Sequence, residues 1–258
     1  MSNNIQNIFS AGHVWATLNF DANGNEIAIP QTFKIGTLTE SSLSITADLK
    51  KLMGSDSQFA VSAARGAMAI TGNIKFGSIS GNVFDLFFGQ GIVKNLINSI
   101  KNDTVGTVIG SGLTVTVTPP NSGDFTGDLG VESATTGLPY VKVASSPTTG
   151  QYAVNATTGV YTFASADEAK KVYISYKYQA EVNNSVVLDV DSLPMGSTPY
   201  FSIDFYETFE GKPFIIHLPK CVATKIDFAT KTDDYTIPSL DFEAISVNGS
   251  AISVSAAN

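Results

Sequence analysis

The stretch Phe33–Gly89, FKIGTLTESSLSITADLKKLMGSDSQFAVSAARGAMAITGNIKFGSISGNVFDLFFG, decides how the rest of the chain is read. It opens on a strand pattern, crosses a polar segment, resumes as a second strand and ends at the start of a helix. Met68, Ile70, Ile74 and Phe76 fall on one side of a period-two alternation, and Ala67, Thr71, Asn73 and Lys75 on the other. Residues 67–76 therefore read as a half-buried strand, one face in a core and the other outside it.

Toward the N-terminus, Val14, Ala16, Leu18 and Phe20 alternate with Trp15, Thr17 and Asn19 before the turn residues Asp21–Gly24. This predicts a β-hairpin with Ile27 and Ile29 on the return strand, and Trp15 suits either the core or an interface, with the core favoured. A further strand runs from Lys34 to Thr46 and carries Ile35, Leu43 and Ile45. Residues 48–54 then suit a helical turn, with Thr46 or Asp48 at its N-cap and Gly54 at its end. They lie in an expected loop, residues 47–59, which is too long for a simple hairpin connection. Asn82 is the expected N-cap of a helix over residues 82–100 that presents Val83, Phe84, Phe87 and Phe88. Gly89 and Gly91 interrupt it, giving one helix frayed in the middle or two short ones.

Residues 105–182 shift to Gly, Thr, Ser, Pro and Val, with short strand patterns at 113–117, 140–143, 152–154, 160–163 and 172–178 separated by turn signals. They form either a β-rich insertion or an extension of the main sheet. The aromatic series Tyr161, Phe163, Tyr173, Tyr176 and Tyr178 reads as cross-strand packing. Strong alternation returns at Phe201, Ile203 and Phe205, and continues through 214–218, 222–228 and 240–244. The fold class expected is mostly β: an antiparallel sandwich or barrel with one or two helices. Its core domain spans residues 1–104 and 183–258.

The order of several pieces resembles the tail tube, or major tail structural, proteins of tailed bacteriophages. Those pieces are Phe33, Gly36 and Leu38; the serine-rich strand; Leu49, Lys50, Lys51 and Leu52; Gln58, Phe59 and Val61; Ala64, Arg65 and Gly66; and Phe87, Phe88 and Gly89. The resemblance continues at 150–154, 159–163, 172–178 and 231–238, so it spans most of the chain. It implies a virion protein, made in the host cytoplasm, that forms hexameric rings stacked into a hollow conduit. The partners it implies are further copies of the chain, a sheath if the tail is contractile, and the tape measure, baseplate and terminator proteins. Viral DNA is expected to pass through the lumen without specific binding, and no membrane partner is expected. The resemblance also implies that the segment after the serine-rich strand touches the next ring. The residues assigned to that contact are Leu49, Lys50, Leu52, Met53, Gln58 and Phe59, because they include apolar side chains in an otherwise polar segment.

Composition agrees with self-association. Hydrophobic residues make up 43% of the 258, enough for a core, whereas charged residues make up only 15%, below the usual quarter of a soluble chain. A formal net charge of −8 lacks the basic footprint that phosphate binding requires, yet suits a channel wall past which DNA must slide. The single cysteine, Cys221, has no partner for an intrachain disulfide and reads as a small buried side chain. The first residues lack a charged region followed by an apolar one, so no export signal is expected, and every apolar run is too short for a membrane-spanning helix.

Chemistry-bearing patterns are sparse. His13, His217 and Cys221 are too few for a zinc site, no Gly-x-Ser-x-Gly surrounds any serine, and Gly89-x-Gly91 lacks the third glycine of a phosphate loop. Asp124 and Asp128 read as solvated turn residues. No cofactor, metal or catalytic residue is assigned, and the chain is read as a non-enzyme. Two alternatives are kept. One is a phage decoration or receptor-binding module with an Ig-like β-domain. The other is a carbohydrate-active enzyme using a carboxylate pair: Asp189 with Asp191 on one strand face, Asp233 with Asp234, or Glu207 with Glu210.

Overall fold

The computed structural model describes residues 12–54, 58–78, 80–230 and 232–256, apart from the side chain of Phe209. The extreme N-terminus, residues 55–57 of the expected loop, and Lys231 lie outside that set. Alternation at the start of the chain becomes the antiparallel strands β1 (His13–Phe20) and β2 (Glu26–Lys34). Asp21 closes the turn between them by accepting from the backbone N–H groups of Asn23 and Asn25. Next come β3 (Leu38–Met53) and β4 (Ala60–Phe76), paired along most of their length. The expected long loop and helical turn are thus replaced by a hairpin arm. Residues 60–68 pair with residues 47–53, and this ladder, continuous with the β-branched part of β4, overrides the weak helical preference of Leu49–Met53.

Helix α1 (Gly81–Phe88) buries Val83 and Leu86. Ser80, rather than Asn82, is its N-cap, accepting from the Asn82 N–H, and Gly89 ends it in the left-handed region at φ 62°. Residues 93–101 form strand β5 (Val93–Lys101), correcting the expected helix 82–100. Asn95, Asn98 and Ser99 are poor helix formers, and a long partner strand captures the segment.

Val93–Val187 form a compact unit of their own, and Met1–Ile92 with Leu188–Asn258 form another. The first of these adds β6 (Thr107–Val108), β7 (Thr114–Thr116), β8 (Asp124–Ser133), β9 (Val141–Lys142), β10 (Gln151–Val154), β11 (Val160–Phe163) and β12 (Lys171–Val187). β12 pairs with β5 and β6 along one edge and β8 along the other, while β7, β11, β10 and β9 form a second sheet. All pairs are antiparallel except β9 with β10. Val172, Ile174, Tyr176, Tyr178 and Ala180 share the buried face of β12 and pack with Tyr152, Tyr161 and Phe163. Tyr173 leaves the expected aromatic series because its odd position turns it to the other face.

Asp128 is not a solvated turn residue. Its side chain is 6% exposed and accepts from the Tyr152 hydroxyl at 2.8 Å, the Tyr161 hydroxyl at 2.9 Å and the Gly130 N–H at 3.0 Å, with Lys142 Nζ at 2.9 Å. Burial opposes its ionisation, but the donors from Lys142, Tyr152, Tyr161 and Gly130 outweigh it and hold the carboxyl below its ordinary value. Both tyrosine hydroxyls are pushed up by burial and by that neighbouring carboxylate.

The other unit continues with β13 (Tyr200–Phe209), β14 (Lys212–Asp227), β15 (Ser239–Ala244) and β16 (Ser253–Ala256). Its antiparallel sheet runs β2-β1-β13-β14-β15-β4-β3, with β16 against β14. Val14, Ala16, Leu18, Phe201, Ile203, Leu218, Leu240, Phe242, Ile70 and Ile74 all face one side, where α1 supplies Val83 and Leu86. Ser41 and Leu43 of β3 line one small cavity together with Phe205 of β13 and Phe214 of β14, although β15 and β4 lie between β14 and β3 in the sheet. The sheet therefore curls around its own core. Cys221 is fully buried there, and burial pushes its thiol up to about 12. Trp15 is not in that core. It sits half-buried on the opposite face, edge-on to His13 and Tyr206 with the Lys34 ammonium 5.8 Å from its ring centroid.

Candidate assembly surface

Strand β15 stops covering β4 at the Ala244–Ile70 pair, whereas β3 and β4 continue together to Met53 and Ala60. Beyond that pair, Thr46–Met53 at the end of β3 and Ala60–Ala69 at the start of β4 form a bare two-stranded ribbon about 25 Å long. Ile45, Leu49, Leu52, Met53, Val61 and Met68 are all more than half exposed along it, and Phe59 at its tip is 81% exposed. A two-stranded ribbon is marginal in water by itself, and clusters of exposed apolar side chains are where interaction surfaces are found.

Each residue assigned to the contact from sequence lies on this arm: Leu49, Lys50, Leu52 and Met53 on β3, Gln58 and Phe59 just before β4. They do not share a face. Leu49 pairs with Arg65 while Leu52 pairs with Ser62, and strand alternation turns Leu49 and Leu52 to opposite sides. Sequence reading missed Ile45, Val61 and Met68. Ile45 and Met68 carry the same alternation as the core residues Ile70 and Ile74, and only the end of β15 distinguishes them. Met68, expected on the core face, is 58% exposed for that reason.

The face of the curled sheet opposite the core is small and polar where β3, β4 and β15 meet. Ser42, Ser44, Thr71, Asn73, Asp241 and Glu243 line a hollow of about 360 Å³. Asn73 donates to Asp241, and Lys75 donates to Glu40 at 2.6 Å. At the two ends of the sheet, β2 and β3 each leave one edge unpaired among the described residues.

Elsewhere on the polar face, His217 Nδ1 donates to Asp204 Oδ1 at 2.7 Å, and Ser253 stands opposite His217 on β16. The fold thus sets an acid and a serine on the strands flanking that histidine. Asp204 and His217 are each more than two-fifths exposed, and no side-chain hydrogen bond joins His217 to Ser253 among the described residues. The expected strand pair Asp189 and Asp191 falls in an exposed segment outside any strand, where the Gln90 side chain bonds both backbone groups of Asp191. Glu207 faces the core side of β13, whereas Glu210 sits in the following turn at φ 52°. Among the described residues no three His, Cys, Asp or Glu side chains gather as metal ligands do, and no helix is long and apolar enough to cross a membrane.

No protein-family model matches the chain, and no curated protein sequence matches it at a significant level.

Proposed function

We propose that this chain is a structural virion subunit that polymerises into stacked hexameric rings, forming the tail tube through which a phage genome leaves. The observation that carries the reading is the β3–β4 arm: a long ribbon with exposed apolar side chains on both faces that β15 does not reach among the described residues. The open edges of β2 and β3 and the low charge content favour the same reading, as does the resemblance of Phe33–Gly89 to tail tube proteins. In this arrangement the Ser, Thr and carboxylate face of β3, β4 and β15 lines the lumen. Its carboxylates repel phosphate, so DNA slides instead of binding.

A second reading, a decoration or receptor-binding module, is favoured by the separate core of Val93–Val187. Electron microscopy of the purified chain distinguishes the two. Rings or tubes of fixed diameter are expected, and a monomer that persists at high concentration overturns the tube reading.

A further inference from the structure

Glu207 lies on the core-facing side of β13, between Phe205 and the strand's end, directly opposite Phe214 of β14. Among the described residues its Oε2 is the buried side-chain oxygen that has no hydrogen-bond partner. A lone buried carboxylate oxygen is expensive, so such an atom calls for a donor. Burial also pushes its carboxyl above the ordinary glutamate value.

The carboxylate is one wall of a cavity of about 150 Å³, whose other walls are Ser41, Ser42, Leu43, Phe205, Phe214 and Ile216. That space is several times the ~30 Å³ a water takes in the liquid. Two phenyl rings, two aliphatic side chains, a hydroxyl and an unpartnered carboxylate make a poor water site and a good one for a flat cation. A guanidinium stacks on aromatic faces and grips a carboxylate with two parallel N–H groups.

The sequence holds one arginine, Arg65, and it stands exposed on the arm beside Leu49, in no ion pair among the described residues. It cannot reach the cavity of its own molecule. Ser41 pairs with Ile74, nine positions along β4 from Arg65, which is about 30 Å of strand. We propose that the Glu207 cavity receives the Arg65 guanidinium from the arm of another copy of this chain, with the adjoining Leu49 and Met68 covering the mouth. This inference rests on the self-assembly reading above and adds the acceptor that reading leaves unnamed.

The test measures assembly of the full chain by sedimentation velocity and negative-stain microscopy. The wild type is compared with Arg65→Glu, Glu207→Gln, Glu207→Arg and the charge-exchanged Arg65→Glu/Glu207→Arg double variant, with thermal unfolding as a check on folding. Arg65→Glu and Glu207→Gln are expected to raise the concentration for half-assembly at least tenfold, and the exchanged pair to recover most of it. If Glu207→Arg does not fold, disulfide capture replaces it: Arg65→Cys chains mixed with differently tagged Glu207→Cys chains give a mixed dimer, free of competition from the buried Cys221. Tubes from Arg65→Glu and Glu207→Gln at the wild-type concentration, or no mixed dimer within assembled material, overturn the pairing and leave the assembly reading standing. A wild type that never assembles overturns both.

Discussion

The ring of Phe242 on β15 occupies the space that a side chain at Gly72 on β4 would need: the two are cross-strand partners, and a Cβ built at Gly72 runs into the ring. Phe242 is 1% exposed and its ring centroid lies 6.3 Å from that of Phe205, so it has nowhere to retreat. Gly72→Ala is expected to destabilise by about 1–3 kcal/mol through overpacking, and Phe242→Ala by about 3–5 kcal/mol through the cavity it leaves. In a Phe242→Leu background the penalty of Gly72→Ala should shrink, because the two share one space. Denaturant unfolding of the four chains checks this, and equal penalties in both backgrounds contradict it.

Asp128 ties β8 to β9, β10 and β11 through Lys142, Tyr152 and Tyr161. Its carboxyl is held below the ordinary aspartate value of 3.8, so the native state binds that proton more weakly than the unfolded chain. The resulting stability is fully present above about pH 4 and is lost as pH falls below 3.8 toward the depressed native value. Asp128→Asn should therefore lower stability near neutral pH and flatten the acid limb of the unfolding curve between pH 4 and the depressed value. Asp128→Ala, which strands two buried hydroxyls, should lose about 3 kcal/mol. An unchanged acid limb in Asp128→Asn argues against the assignment.

How much of this was legible in the sequence depended on whether a residue's neighbours in the chain settled its environment. Val14, Ala16 and Leu18, and Phe201, Ile203 and Phe205, alternate as strands do, and each set is buried. Residues 93–101 misled because Ile92, Leu96 and Ile100 also suit a helix, and the partner that makes them a strand lies some 80 residues away in β12. The arm misled similarly: a polar run after a serine-rich strand reads as a loop until its pairing partner is known. Asp128 looked like a turn aspartate because none of its side-chain donors is near it in sequence. Glu207 stood out in the sequence only as a carboxylate near Glu210, and nothing there signalled its cavity, since only the curl of the sheet brings Ser41 and Leu43 over it.

Val93 and Val187 are paired neighbours at the two ends of one compact unit, and that unit has its own buried cluster around Tyr161, Phe163 and Ile174. With its ends together and its core within its own sequence, Val93–Val187 should fold when expressed alone. Cooperative unfolding and dispersed amide resonances are expected from the isolated segment. A broad, non-cooperative melt shows that it needs the rest of the chain.

The register of the arm also dictates where to cut it. Removing only Leu49–Ser57 would leave Ala60–Arg65 of β4 without a partner, whereas Asp48 and Gly66 face one another within the uncovered ribbon, with a Gly66 Cβ 3.3 Å from that of Asp48. Replacing Leu49–Arg65 by Asn-Gly closes the hairpin there with the turn its strand twist prefers. None of the removed residues belongs to the buried core, so the shortened chain should unfold within about 1 kcal/mol of the intact one. It should also sediment as a monomer at concentrations where the intact chain forms rings or tubes. Single changes Leu49→Asp and Leu52→Asp, on opposite faces of the ribbon, separate the two sides: each should weaken assembly without altering the melting temperature. Tubes of normal length from the shortened chain would remove the arm from assembly altogether, and with it the reason its apolar side chains stand in water.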